Sequence, residues 1–538
     1  MPTIYTSLLA KHKAFSPARR NREMLKVMTQ IRPTATAVRA GALRMAASQP
    51  VEAAGPTVLA EVIAPSITGK PRVAIIGAGL AGLCAAYELA KADYEVEVFE
   101  ARNRVGGRTK TIDTVVENKQ MDGGAELIGD NHPLWLHYAD LFGVGLTDAK
   151  DYGNSPIRIG DHTLSWEESE KLTRHLDKLI KKLTQAAEAI VDPFEPWMNP
   201  NAAAFDSVSL ADWICQVKGK DDGKKALRKM MEADSGILAQ NQSLLAVLAM
   251  VRGGGLDRFW TDTEVHRAKG GSQSLAKAFE KAILEAGVKL HLGTQVVGLA
   301  VNLEGVDVRF AELPAKVGEE DPDPITGVPA HPNSLHFEFV VLAIPPSVWK
   351  TILNIEPAPL SKLLNGERLQ MGKNVKNLMA FKSRFWEDAA LGPTLTEYGL
   401  VDMTWETTEA DPANQPQFGL VAFSGADEAK TLSEMNDDQL DQTYQQCLGP
   451  VYRGFETALV KSRLINWPKD KWAEASYCFP APGEVTKWGP IYKAGFMNRL
   501  HFAGEHTCYA YMGYMEGALS SGYRVAARIA VRDQLGIR

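Results

Sequence analysis

Residues 71–100 read PRVAIIGAGLAGLCAAYELAKADYEVEVFE. RVAII is a short β-branched run. LAGLCAAYELAKA has helical spacing and good helix formers, and YEVEVFE alternates apolar with polar residues. The order is strand, glycine turn, helix, strand, and two strands joined in this way lie parallel. Gly77, Gly79 and Gly82 stand in the turn with the spacing of a dinucleotide fingerprint. Gly77 permits the tight turn. Gly79 lets backbone approach a pyrophosphate, and Gly82 lets helix and strand pack closely. The N–H groups of the helix N-terminus meet the anion. Glu100 closes the second strand, where a carboxylate can take ribose hydroxyls.

ARNRVGGRT follows at 101–109. Gly106 and Gly107 again allow close backbone approach, and Arg102 and Arg108 can meet phosphate charge with forked donors. A plain NAD site does not require this second basic glycine loop, so the expected cofactor is FAD.

Around this unit the chain is long, at 538 residues, and at least two domains are expected. A hydrophobic content of 45%, a charged content of 23% and a net charge of -6 describe a soluble globular chain without the concentrated basic face of a nucleic-acid binder. No stretch approaches the roughly 20 apolar residues that span a bilayer. Cysteines stand at 84, 215, 447, 478 and 508 with no CxxC spacing, so neither a disulfide framework nor a metal site is expected. The first fifty residues carry nine Lys and Arg against the single acid Glu23. They read as a basic N-terminal arm, taken as 1–69. A mitochondrial transit segment is the less favoured reading, and the expected setting is intracellular and soluble.

Residues 165–192 repeat apolar positions at helical intervals, with Ser165 as N-cap. Helical pattern resumes from 208 to 252, so a helical insertion is expected. From 269 the pattern returns to α/β. VKLHLGTQVVGLAVN and LHFEFVVLAIPP each read as a strand, as do 375–383 and 395–424 in antiparallel arrangement. Residues 431–447 and the end of the chain read as helices. The expected fold class is α/β: a Rossmann-like FAD-binding domain of glutathione-reductase type with an interleaved α+β substrate domain and a helical insertion. The FAD-binding domain takes 70–148, 262–347 and 465–538. The substrate domain takes 149–261, which is helical, and 348–464.

Five separated motifs give the chain a family. They are GAGLAG with Glu100, RVGGR at 104–108, MDGGAELIG at 121–129, VVLAIPP at 340–346, and HFAGEHT at 501–507 with GYMEGALSSG at 513–522. Together they resemble the flavin-containing amine oxidase family from about residue 71 to the C-terminus. The resemblance implies that Gly124 and Ala125 lie beside the flavin. Gly504 and Glu505 would hold the ribityl and phosphate region. Gly513 would belong to the cofactor site, the backbone of Met515 would face the pyrimidine end, Val296 would touch the adenine, and Trp472 would border the ring. Lys376, in MGKNVKNLMAFKSRFW at 371–386, matches the family's flavin-facing lysine, which assists reoxidation by dioxygen. Tyr477, in ASYCFPAPG, and Tyr514 match its two aromatic walls. Where monoamine oxidases carry the cysteine that binds flavin covalently, this chain has Ser476, so non-covalent FAD is expected.

GAELIG followed by NHP, the N-terminal arm and the helical insertion together are similar to a fungal and bacterial L-amino-acid-oxidase branch, that of the mushroom enzymes. That resemblance implies oxidative deamination of L-amino acids to 2-oxo acids, ammonia and hydrogen peroxide, with dioxygen as co-substrate; a homodimer is one assembly open to the chain, whose oligomeric state the sequence does not give. Leu127 stands where venom-type relatives place a carboxylate-binding arginine, so another cation is needed. Arg267, Arg252 and Arg258 are the candidates, and Glu264 and His266 would line the same pocket. Glu126 would instead repel a carboxylate and favour a diamine. A monoamine or polyamine oxidase is the alternative, and a non-catalytic partner-binding protein is a third reading.

Overall fold

The computed structural model describes residues 70–149, 152–314, 321–366, 369–389, 391–397, 399–408 and 415–534. The basic arm expected at 1–69 lies outside the described residues.

Arg72–Ile76 (β1), Leu80–Lys91 (α1) and Glu95–Phe99 (β2) form the opening unit. β1 and β2 pair in parallel, from Arg72 opposite Glu95 to Ile76 opposite Phe99. Gly79 is the N-cap of α1 and supplies no side-chain cap. The first N–H groups of this helix therefore open onto whatever lies beyond the turn.

The helical insertion is present. Trp166–Ala187 (α2) starts at a capping box in which Glu168 N donates to Ser165 Oγ at 3.3 Å and Ser165 N to Glu168 Oε2 at 2.8 Å. Leu172, Leu176, Leu179, Ile180 and Leu183 form its buried stripe. Asp221–Ser235 (α3) ends at Gly236, whose φ of +67° closes the helix in the left-handed region. That stop sets Asp234 and Ser235 at the inner end of the helix. In Leu244–Gly253 (α4) every residue from Leu244 to Val251 is buried, as expected of a helix apolar all round.

The strands that follow are Lys289–His291 (β3), Thr294–Val301 (β4), Val306–Glu312 (β5), Asn333–Phe337 (β6) and Phe339–Leu342 (β7). Beyond them lie Asn374–Phe381 (β8), Met403–Glu406 (β9), Phe418–Gly425 (β10), Leu459–Asn466 (β11) and Leu500–Phe502 (β12), and the chain's last described helix is Met515–Gln534 (α5). β12, β7, β1, β2 and β3 make a five-stranded sheet in that order, parallel throughout. β6, β5, β4 and Asn354–Glu356 make a second sheet. β11, β8, β10 and β9 form one side of a seven-stranded sheet, antiparallel at each of these pairings. The fold is thus mixed α/β. No helix among the described residues is long and apolar enough to cross a membrane.

Two segments read as single strands are each divided between sheets. VKLHLGTQVVGLAVN breaks after His291, so β3 joins the parallel sheet and β4 the second one. Gly293 makes the corner, and its N–H bonds the carbonyl of Arg102 at 2.9 Å. LHFEFVVLAIPP breaks at Glu338, whose backbone N–H and carboxylate both bond the backbone of Arg72, at 3.0 and 2.7 Å. Continuous apolar alternation records burial on each side of such a corner but not the change of partner.

Candidate active site

One long cavity runs from the glycine turn of β1–α1 to the antiparallel sheet. At the turn, Gly77 has φ +104°, and a Cβ there would stand 2.8 Å from Ile344 Cγ2. A Cβ on Gly82 would stand 1.9 Å from the Gly77 carbonyl oxygen, so α1 packs against the turn only because this residue has no side chain. A Cβ on Gly79 would meet nothing within 4 Å, because this glycine faces the open cavity. Gly106 N donates to Ala78 O at 2.9 Å and brings Gly107 to the same wall. Glu100 binds the two loops together: it accepts from Ala78 N at 2.7 Å and Arg102 N at 2.9 Å. A bare glycine shelf at a helix N-terminus, a carboxylate behind it and Val296 on the same walls fit a dinucleotide such as FAD.

The two arginines expected to meet phosphate do not offer their charge freely. Arg102 is buried in an ion pair with Asp321 and a second with Asp470 at 2.6 Å. Arg108 donates to Glu505 at 2.9 Å and to the carbonyl of Ser476 at 2.6 Å. Both therefore order loops around the cavity, and Arg108 also lines its wall. Trp472 lies beside the Arg102–Asp470 pair, lines the cavity and donates its indole N–H to Pro322 O at 2.8 Å. Glu505 accepts from Arg108, from Cys478 N at 3.1 Å and from Gly513 N at 3.0 Å. Burial opposes its charge, but the Arg108 guanidinium and these N–H donors outweigh burial and hold the carboxyl below its usual range. Gly504 and Met515 line the same stretch.

The other end is built from Gly124, Ala125, Glu126, Leu127, Lys376, Tyr477 and Tyr514, with Asp234, Glu264, Trp405 and Phe423. Lys376 sits mid-strand on β8, opposite Phe423 on β10 and Ile465 on β11. Its Nζ donates to the carbonyls of Asp122 at 2.8 Å and Gly124 at 3.1 Å and to Glu126 Oε2 at 2.6 Å. This engages all three N–H donors of an ammonium. Glu126 Oε1 accepts from Arg267 Nε at 2.7 Å and from the Trp405 indole at 3.0 Å. Burial works against the Glu126 charge, yet Lys376 and Arg267 hold its carboxyl below the ordinary range.

The Tyr477 hydroxyl donates to the backbone carbonyl of Asp234, which ties the ASYCFPAPG segment to the end of α3. Tyr477 and Tyr514 come together across Gly513, where an added Cβ would stand 3.1 Å from the Tyr477 ring. Burial pushes both phenols well above their usual range, so both stay neutral. Burial also pushes the Asp234 carboxyl up to about 6.

Several expected substrate residues stand elsewhere. His266 does not line the cavity: its ring lies between Asp130 at 2.9 Å and Asp148 at 3.1 Å. On the short strand His266–Ala268 alternate residues face opposite ways, so Arg267, turned to Glu126, sends its neighbour away. Arg267 stands behind Glu126 and off the cavity wall. Arg258 pairs with Asp262 at 2.7 Å, and neither it nor Arg252 reaches the wall. Glu264 does reach it. Asp234 and Trp405 escaped the sequence reading. The signal for Asp234 was its place just before the helix-ending Ser-Gly pair.

A family model described as flavin containing amine oxidoreductase matches residues 80–530. The chain is 26% identical to the flavin-containing amine oxidase A of Equus caballus over 85% of this chain and 84% of that one. It is 24% identical to an L-amino acid dehydrogenase of Synechocystis sp., over 85% and 94%. A putrescine oxidase solved with putrescine bound shares the fold, with TM-score 0.72 and 22% identity over 86% of this chain and 99% of that one. With the glycine shelf, Glu100 and the Glu505 loops set around one cavity, the match over most of the chain shows that it belongs to the flavin-containing amine oxidoreductase family, whose cofactor is FAD.

Proposed function

We propose that this FAD-dependent amine oxidase acts on small basic amines, with a diamine as the best substrate. One observation carries the reading: Asp234 and Glu264 stand on the wall beside Tyr477 and Tyr514, while Lys376 on the same wall is bound to Glu126. Two unit charges 4 Å apart interact by about 4 kcal/mol at an effective dielectric near 20, enough to decide which substrate end enters. A second ammonium would be held by these acids. An α-carboxylate would be repelled by these acids, which weighs against L-amino acids in general. A basic L-amino acid is the second reading, favoured by the likeness to an L-amino acid dehydrogenase.

Bound FAD supplies the two-electron oxidation of the carbon–nitrogen bond and delivers the electrons to dioxygen as hydrogen peroxide. The chain's own residues orient and dry the substrate. Tyr477 and Tyr514 present neutral rings that flank the amine and exclude water. Glu100, Gly79, Gly107, Val296, Glu505 and Met515 would hold the cofactor. Non-covalent binding is supported by Ser476, which donates its hydroxyl to Asn374 at 2.6 Å, and by Cys478, a buried thiol pushed well above its usual range by burial.

Asp234→Asn and Glu264→Gln should each raise KM for a diamine on the order of tenfold, with kcat and the KM for a simple monoamine within about threefold. The Asp234 carboxyl is neutral below about pH 6, so the wild-type diamine KM should rise as pH falls through that value, and Asp234→Asn should flatten the rise. Equal changes for diamine and monoamine in steady-state peroxide assays would remove the wall acids from the account.

A further inference from the structure

We propose that Arg267, which does not line the cavity, acts through Glu126 to set the charge that Lys376 presents to the flavin. Arg267 Nε bonds Glu126 Oε1 at 2.7 Å and Lys376 Nζ bonds Glu126 Oε2 at 2.6 Å, so one carboxylate is shared between two cations. All three side chains are at least mostly buried: Arg267 is 13% exposed, Glu126 4% and Lys376 6%. Charges screened so little from one another alter the local potential by whole kcal/mol when one is removed. The Trp405 indole closes the arrangement by donating to Glu126 at 3.0 Å. Its ring also lies under the Lys376 ammonium, with Nζ 5.3 Å from the centroid. Glu126 follows Gly124 and Ala125 on the loop that walls the cavity, and Lys376 binds the Gly124 carbonyl at 3.1 Å. The net charge of the triad is therefore felt where the flavin would sit. Arg267 is a positioning residue in this scheme: it leaves Lys376 partly uncompensated by taking half of the carboxylate.

The scheme predicts shifts of opposite sign, which loss of structure alone would not give. The probe is sulfite, an anion that bleaches flavin on binding and binds more tightly as the surroundings become more positive. It is titrated by absorbance against the purified holoenzyme, so the test does not depend on the amine reading. Glu126→Gln removes a negative charge and should tighten sulfite binding on the order of tenfold. Arg267→Gln removes a positive charge and should weaken it by a similar factor, and Arg267→Lys should restore the wild-type value. If Glu126→Gln does not retain FAD, the Arg267 pair decides: weakening reversed by lysine supports the scheme. An unchanged sulfite affinity in Arg267→Gln, or a shift of the same sign in Glu126→Gln and Arg267→Gln, overturns it.

Discussion

Lys376→Met should slow reoxidation of the reduced flavoprotein by dioxygen on the order of a hundredfold, while reduction by the amine stays within about threefold. Lys376 is buried in the middle of β8, where a methionine of similar length fits the strand. Arg267 still compensates Glu126 in the variant, so the fold should survive. What would disappear is a fixed positive charge on the cavity wall, beside the position proposed for the flavin. Such preorganised charge is worth more in a dry site than in water. Rapid mixing separates the two half-reactions: amine is added under nitrogen, and dioxygen is then added to the reduced protein. Equal slowing of both steps would take the role away from Lys376.

The second large effect belongs to the glycine turn, and it differs sharply between two neighbours. Gly82→Ala sets a methyl group 1.9 Å from the Gly77 carbonyl oxygen and 3.1 Å from Ile75, so α1 must move off β1. A loss of about 3 kcal/mol of stability is expected, with loss of FAD. At Gly79 a Cβ meets nothing within 4 Å, and the backbone there, φ -71° and ψ 174°, suits any residue. Gly79→Ala should leave the stability of the apoprotein within about 0.5 kcal/mol and still weaken FAD binding at least on the order of tenfold. Denaturant unfolding of the apoproteins and fluorescence titration with FAD measure the two quantities. A Gly79→Ala variant that binds FAD normally would deny that this glycine faces the pyrophosphate.

What the sequence made legible is local. The βαβ unit, its glycines and Glu100 lie within thirty residues, and their meaning depends on spacing and the helix N-terminus. The helical insertion announced itself through Ser165 and the stripe from Leu172 to Leu183. Pairings between distant residues were hidden. Glu126 and Lys376 lie 250 positions apart and Arg102 and Asp470 lie 368 apart, and nothing in either segment names the other. The sequence offered Arg102 and Arg108 as phosphate ligands and Arg267 as a carboxylate ligand, with no sign of the protein carboxylate that each also binds. His266 was misplaced for a different reason, because the facing of a three-residue strand is set by its partner Leu146–Asp148. The cofactor was legible because it is read by backbone. The substrate was not, since its wall is assembled from α3, β8, β9, β10 and four loops.

Selection of a basic amine by the cavity is open to direct measurement. Its most direct test is anaerobic bleaching of the bound flavin by putrescine, cyclohexylamine, L-lysine and L-leucine at equal concentration. Reduction should be fastest with putrescine, slower with cyclohexylamine and L-lysine, and slowest with L-leucine. Faster reduction by L-leucine than by either amine would contradict it and restore the L-amino-acid reading, with a carboxylate partner yet to be found.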